Sequence, residues 1–346
     1  MIEPVSAWHA VGRLGPGVWI AALIVSSGLI ATFLPLFRRF AVAEPTVRSS
    51  HSGLTPQWGG LAVITATIAA TGLAILLSPR IGADAVQQMI TVLFATALMG
   101  GLGVVDDLRN LPPAYKLVVQ TAAVAVVIAA LSSDMRVLAF LPLWLELILL
   151  LFGGLWFVNL VNFMDGIDWM MVAEVVPVTA GVALVGALGA LPPEALVVAL
   201  ALNGAMLGFA PFNRPVARLF LGDMGSLPIA LLLVWLLYLV AGSGHLAAAI
   251  LLPLYFAADA SVTLVRRLAA GERVWEAHRT HFYQRARDNG FSNMEIVGRV
   301  ALVNIGLVAL GAASVVAAST LASIAAVVLG VGLVAGLLVI FARKRP

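Results

Sequence analysis

Apolar residues run the length of the chain in long blocks separated by short polar segments. Blocks of roughly 17–25 residues match a helix crossing a bilayer. Candidate spans are Val18 to Phe37, Gly59 to Leu77, Val86 to Val105, Leu117 to Leu131, Leu141 to Val158, and Val172 to Leu188. They continue with Ala195 to Ala210, Leu227 to Ala241, Leu246 to Val265, Val297 to Ala318, and Leu321 to Phe341. The pattern predicts an all-α protein, a polytopic integral membrane helical bundle of about eleven transmembrane helices. An odd number places the two termini on opposite sides.

Charge then orients the bundle. Arg38, Arg39, Arg48, Arg109, Lys116, Arg214, Arg218 and the ten basic residues from Arg266 onward fall on one side, 17 of the 20 Lys and Arg. Only Arg13, Arg80 and Arg136 fall on the other. The positive-inside rule therefore predicts an N-terminus outside and a cytoplasmic C-terminus. Connections on the outer side are short, so the expectation is a single domain, 1–346, with five cytoplasmic loops at about 38–58, 104–116, 159–171, 211–226 and 266–296. Met1 to Pro16 shows no small-residue cleavage site, and no cleavable signal peptide is expected.

Composition narrows the class. The chain is 62% hydrophobic and only 11% charged, with mean hydropathy +1.05, which excludes an ordinary soluble domain. There is no Cys, so disulfides, thiolate metal sites and a Cys nucleophile are excluded. The basic residues flank apolar spans, a pattern of membrane topology rather than of nucleic-acid binding.

The polar loops carry the candidate chemistry. Asp106-Asp107, Asp165 with Asp168, and Asp223 lie in three loops, each separated from the next by two spans, so all open on one side. Carboxylates beside a bilayer are costly and usually functional. Gathered from several loops, they suggest a divalent-metal site for a phosphorylated substrate. The adjacent pair Asp106-Asp107 repels itself unless a cation offsets it; one acid suits a general base, the other a metal or Lys116. Acids after an apolar helix also oppose its macrodipole. Asn159, Asn162, Asp165 and Asp168 recur every three residues, which on a helical turn lines one face with oxygens suited to Mg²⁺ or sugar hydroxyls. Gly222-Asp223-Met224-Gly225-Ser226 sets a carboxylate among the free amides of a helix start. Arg48, His51 and the following Gly59-Gly60 can wrap a phosphate. His278, Arg279 and His281 form a basic, imidazole-bearing segment suited to pyrophosphate. Asp259, in the span before it, is expected to be a structural partner.

Together the five loops resemble the polyprenyl-phosphate N-acetylhexosamine-1-phosphate transferases, from about Arg48 to Gly290. The likeness rests on Arg48-Ser49-Ser50-His51 with Thr55-Pro56 and Gly59-Gly60, on Asp106-Asp107 with Lys116, and on Asn159-x-x-Asn162-x-x-Asp165-Gly166-x-Asp168. It extends to Gly222-Asp223-x-Gly225-Ser226 and to Arg266-Arg267 with the His281 segment. It implies an Mg²⁺-dependent enzyme, with Mn²⁺ as substitute, in the bacterial inner membrane with its active site on the cytoplasmic face. The implied reaction joins a UDP-N-acetylhexosamine to undecaprenyl phosphate and releases UMP. Asp106, Asp107 and Asp223 are the implied catalytic residues, and Asp223 and Asp107 the implied metal ligands. Arg48, His51, Lys116, Asn159, Asn162, Asp165, Asp168, His278, Arg279 and His281 are the implied substrate-binding residues. The bilayer is the expected partner, nucleic acid is not, and a homodimer is left open. The run His278 to Gln284 looks like the subgroup that initiates O-antigen, implying a 6-deoxy donor sugar. Family members usually have Arg-Gly where Gln57-Trp58 stands, Gly-Leu where Trp169-Met170 stands, and His-x-His-His where His281-Phe282-Tyr283-Gln284 stands. The competing expectations are a transporter or lipid-carrier flippase, and a catalytically inactive relative serving as a scaffold.

Overall fold

The computed structural model describes residues 4–40, 42–43, 55–78, 81–132, 134–273 and 278–345, with side chains described from residue 14 onward except at 40, 42 and 43. The helices are α1 (Pro4–Phe40), α2 (Gly59–Leu77), α3 (Ala83–Arg109), α4 (Pro113–Ala129), α5 (Leu143–Met164), α6 (Met170–Ala187) and α7 (Pro193–Asn213). They continue with α8 (Asp223–Gly242), α9 (Leu246–Leu251), α10 (Leu254–Ala269), α11 (Phe282–Asp288), α12 (Asn293–Ala317) and α13 (Thr320–Ala342). A two-residue antiparallel ladder pairs β1 (Val42–Ala43) with β2 (Thr55–Pro56).

The protein is a polytopic all-α bundle. Among the described residues nine helices are long and apolar enough to cross a membrane: α1, α2, α3, α5, α6, α7, α8, α12 and α13. Two of the eleven expected spans differ. The block around Leu117 to Leu131 forms the shorter apolar helix α4. The block Leu246 to Val265 is not one helix but two, α9 and α10, broken at Leu252 and Pro253. Proline has no amide hydrogen and crowds the preceding turn, so the break falls where the sequence dictates.

Helix α8 is apolar on every side, and seventeen of its twenty residues are buried, as expected for the central helix of a bundle. Peripheral helices show the reverse arrangement: Leu76, Val118, Phe152 and Leu321 are all more than two-thirds exposed, a surface fit for lipid. One polar pair inside the bundle repairs a gap left by proline. Pro177 in α6 cannot donate to the Ala173 carbonyl, and Asn304 Nδ2 of α12 does so instead at 2.9 Å while also donating to Glu174 Oε2 at 2.7 Å. At the opposite end from the acidic loops, Glu146 holds the segment before α5 through Arg136 Nε and the amides of Val137 and Leu138.

Close backbone approach fixes how α8 meets its neighbours. A Cβ on Gly60 of α2 would lie 2.2 Å from Gly225 Cα, and one on Gly103 of α3 would lie 2.3 Å from Met224 Cα. Both contacts are to main chain, which cannot swing aside. Overpacking of this kind costs about 1–3 kcal/mol or more. Gly103→Ala should therefore lower the thermal unfolding midpoint of detergent-purified protein clearly. Gly101→Ala, one face away with nothing within 4 Å, should leave it unchanged or raise it.

Candidate active site

The first amides of a helix lack intrahelical partners and attract anions. At α8 the chain enters through Gly222, whose φ of +77° suits glycine. Asp107 from the last turn of α3 then accepts from the amides of Asp223 (3.1 Å) and Met224 (3.4 Å). Its Oδ2 would be 2.8 Å from a Cβ on residue 222, so glycine is required there on two counts.

The two acids of the pair divide their partners. Asp106 is buried, accepting from the Leu111 amide at 2.8 Å and from Lys116 Nζ at 2.7 Å. Its carboxyl also reaches the Asp223 side chain. Asp107 faces Asp223 and remains half-exposed. Asn162 from the end of α5 completes the group, donating to Asp223 Oδ1 at 2.8 Å and to Ser226 Oγ at 2.9 Å. Four expected residues of three loops, Asp106, Asp107, Asn162 and Asp223, are thus brought together, with Lys116 as their cation.

The every-third-residue series does not lie on one helical face. Helix α5 stops at Met164, so only Asn159 and Asn162 are helical, and Asp165 is the cap residue. Asn159 turns toward α4, donating to Gln120 Oε1 at 3.0 Å and to the Leu155 carbonyl at 2.8 Å. Asp168 is buried and accepts from the Ala217 amide at 3.1 Å. The physical reason is the Asp-Gly sequence at Asp165-Gly166, which favours a turn over a further helical turn. Asp165 itself stays with the site: burial, then the charges of Asp107 and Asp168, push its carboxyl up to about 7.

Sequence reasoning missed Asn213, which accepts from the Trp169 amide at 2.8 Å and donates to the Leu219 carbonyl at 2.9 Å. It thereby ties the turn after α5 to the segment leading into α8. Trp169 and Trp58 both have left-handed backbones, φ +62° and +81°. These are the two positions where the resembled family has glycine. Trp169 is held by Nε1 donating to the Ala210 carbonyl at 2.6 Å, and Trp58 by an edge contact to Phe37 with centroids 6.4 Å apart.

The basic segment leads into α11, with His281 as its cap residue. Asp259, fully buried in α10, accepts from the amides of Phe282 (2.8 Å) and Tyr283 (3.1 Å) and lies 3.4 Å from His281 Nδ1. It is a structural partner, as expected, and what it holds is the start of α11. His278 stacks on His281 with centroids 4.8 Å apart. Arg279 pairs only distantly with Asp288, at 3.9 Å, and its Nε has no acceptor among the described residues. Behind α11, the Arg345 amide donates to the Asn289 carbonyl, its guanidinium makes a forked pair with Glu295 and stacks on Phe291, and Asn289 Nδ2 donates to the Phe341 carbonyl. Arg48 and His51 lie outside the described residues.

The donor set fits a hard divalent cation, with oxygen ligands only and several carboxylates against one lysine. Among the described residues no three His, Asp or Glu side chains form a ready-made coordinating group. Mg²⁺ is commonly held by one or two carboxylates plus substrate phosphates, which Asp107 and Asp223 satisfy.

Residues 89–241 match the family "Glycosyl transferase family 4". The chain is 30% identical to a decaprenyl-phosphate N-acetylglucosaminephosphotransferase of Mycobacterium tuberculosis (strain ATCC 25618 / H37Rv), covering 94% of this chain and 90% of that one. It is 25% identical to a probable undecaprenyl-phosphate N-acetylglucosaminyl 1-phosphate transferase of Bacillus subtilis (strain 168), covering 79% and 78%. A phospho-N-acetylmuramoyl-pentapeptide-transferase of Symbiobacterium thermophilum is 32% identical over 61% of this chain and 69% of its own. The chain belongs to the polyprenyl-phosphate N-acetylhexosamine-1-phosphate transferase family.

The raised Asp165 carboxyl makes the protein's stability depend on pH. The folded state keeps a proton that the unfolded chain releases above the ordinary carboxylate value of 3.8. Stability contributed at this residue therefore falls as pH rises toward about 7. In EDTA, the unfolding midpoint of Asp165→Asn should decline less than wild type between about pH 5 and 8.

Proposed function

We propose that the protein transfers an N-acetylhexosamine 1-phosphate from a UDP-sugar to a polyprenyl phosphate at the cytoplasmic face of a bacterial inner membrane. The observation that carries this is the convergence of Asp106, Asp107, Asn162, Asp165 and Asp223 on the open end of the central helix α8. A transporter would bind its substrate near the bilayer midplane, whereas these groups stand at a rim, where a lipid phosphate and a soluble nucleotide can meet. The relatives' names support a polyprenyl phosphate acceptor and an N-acetylated hexosamine donor. The same proposal extends to a single transferase domain over 1–346 and to undecaprenyl phosphate as the acceptor, the lipid in the Bacillus subtilis relative's name.

In this reaction an oxygen of the lipid phosphate forms a bond to the β-phosphorus of the UDP-sugar. The bond from that phosphorus to the oxygen bridging to the α-phosphate breaks, and UMP leaves. Both partners are anionic, so charge neutralisation and alignment dominate the barrier. Asp223 and Asp107 would hold Mg²⁺, which supplies charge stabilisation to the phosphates. Lys116 holds Asp106 in place and offsets the acidic cluster. Asn162 orients the Asp223 carboxylate through its 2.8 Å bond. Arg279, with donors to spare, is placed to take pyrophosphate oxygens in a fork, beside His278 and His281. The second pKa of a phosphate monoester is about 6, so the acceptor is largely ionised near neutrality and positioning outweighs a base. The His278 to Gln284 run supports a 6-deoxy donor and an O-antigen-type pathway.

Purified protein with a UDP-N-acetylhexosamine, polyprenyl phosphate and Mg²⁺ should release UMP. Asp223→Asn should reduce that rate by at least about a hundredfold, the scale of losing a preorganised electrostatic group, without loss of fold. Arg279→Ala should raise KM for the donor, and Arg279→Lys should restore only part. Direct competition should favour UDP-N-acetylhexosamines over UDP-N-acetylmuramoyl-pentapeptide, and the opposite preference would replace the donor assignment.

A further inference from the structure

The basic segment 278–284 must hold one position against the turn after α5 if the two are to share a donor. That segment touches the turn at Tyr283. The Tyr283 ring is fully buried, and its hydroxyl donates to the carbonyl of Phe163 in the last turn of α5 at 3.2 Å. The space for that hydroxyl is made by Gly166. A Cβ on Gly166 would lie 2.0 Å from Tyr283 Oη, 3.0 Å from Cζ and 3.2 Å from Cε2. The Gly166 backbone lies outside the left-handed region, so the chain itself would accept alanine. What requires glycine at 166 is the tyrosine across from it.

Tyr283 is also joined to the cationic groups. Its ring stacks on His281 at 5.8 Å with 23° between planes, and His281 stacks on His278 at 4.8 Å with 27°. Its amide donates to Asp259 at 3.1 Å, next to the Phe282 amide on the same carboxylate. Asp259 thus fixes the start of α11 from below, and the Tyr283 hydroxyl fixes it sideways against the Asn162–Asp168 turn. We infer that Tyr283, fitted into the clearance at Gly166, is a positioning residue that aligns His278, Arg279 and His281 with Asn162 and Asp165 for donor binding. This rests on the transferase assignment above. It adds a residue that contacts neither reacting phosphate yet sets how well the nucleotide-sugar is held.

A double-mutant cycle of Tyr283→Phe and Gly166→Ala in the full-length protein tests the fit and the role separately. Stability is read first, by thermal unfolding without ligand. Gly166→Ala should lower the midpoint, and Tyr283→Phe should recover much of that loss, because removing the hydroxyl removes the 2.0 Å conflict. Additive effects would overturn the fit. UMP release is read second. Tyr283→Phe should raise KM for the UDP-sugar roughly two- to tenfold, the scale of one lost hydrogen bond, with kcat nearly unchanged. A coupled stability cycle with an unchanged KM would overturn the positioning role. Absence of UMP release from wild type with every UDP-N-acetylhexosamine would instead overturn the transferase assignment. In that case titration with UDP, followed by the shift in unfolding midpoint, still decides the matter. A weaker shift in Tyr283→Phe supports positioning, and an equal shift overturns it.

Discussion

At the beginning of α8 the amides of Asp223 and Met224 look out of a helix that is otherwise buried on nearly all sides and take their acceptor from another helix. The first amides of a helix have no acceptor one turn back, so another group must satisfy them. Asp107 does so from the last turn of α3, and this one contact accounts for much of the site. It needs α3 and α8 to meet backbone to backbone, which Gly103 permits. It draws Asp106 in behind, which in turn requires Lys116. It also answers the electrostatic objection to two acids at a helix C-terminus. The negative end of α3 abuts the positive end of α8, so the pair is stabilised by the second helix rather than the first.

The sequence disclosed the membrane class and the gathering of acids because both depend on coarse features, apolar block length and loop parity. It offered Lys116 as a partner for one acid of the pair, and the structure adds that the acid is Asp106. It did not disclose where α5 ends. An every-third-residue series reads as a helical face until Asp165-Gly166 turns the chain, and then Asn159 and Asp168 point to different neighbours. Nor did it disclose Asn213, Gln120 or the Tyr283 contact, since these depend on residues dozens of positions distant. The split into α9 and α10 had a local signal in Pro253, which the unbroken hydropathy of the block concealed.

Two tryptophans stand in backbone conformations that bulky residues rarely adopt. Strain of this kind costs on the order of 1–3 kcal/mol per residue and persists only where surroundings enforce it. At Trp169 the enforcement is visible as two hydrogen bonds, one from the main chain and one from the indole, both to the end of α7. The indole therefore does locally what glycine flexibility does elsewhere, holding the start of α6 in register with α7. At Trp58 the ring packs on Phe37 at the end of α1. The departures from the family pattern thus carry their own packing compensation.

The clasp formed by Arg345, Asn289, Glu295 and Phe291 bears on how the protein can be handled. It fastens the final residues of the chain to the turn that follows α11, so the tail is a structural strut of the segment carrying the histidines. Anything fused directly after residue 346 starts one step from that strut. An affinity handle for purification or surface immobilisation therefore belongs at the other terminus, on the far side of a long first helix. There its bulk and its pull are borne by α1 and leave the strut undisturbed.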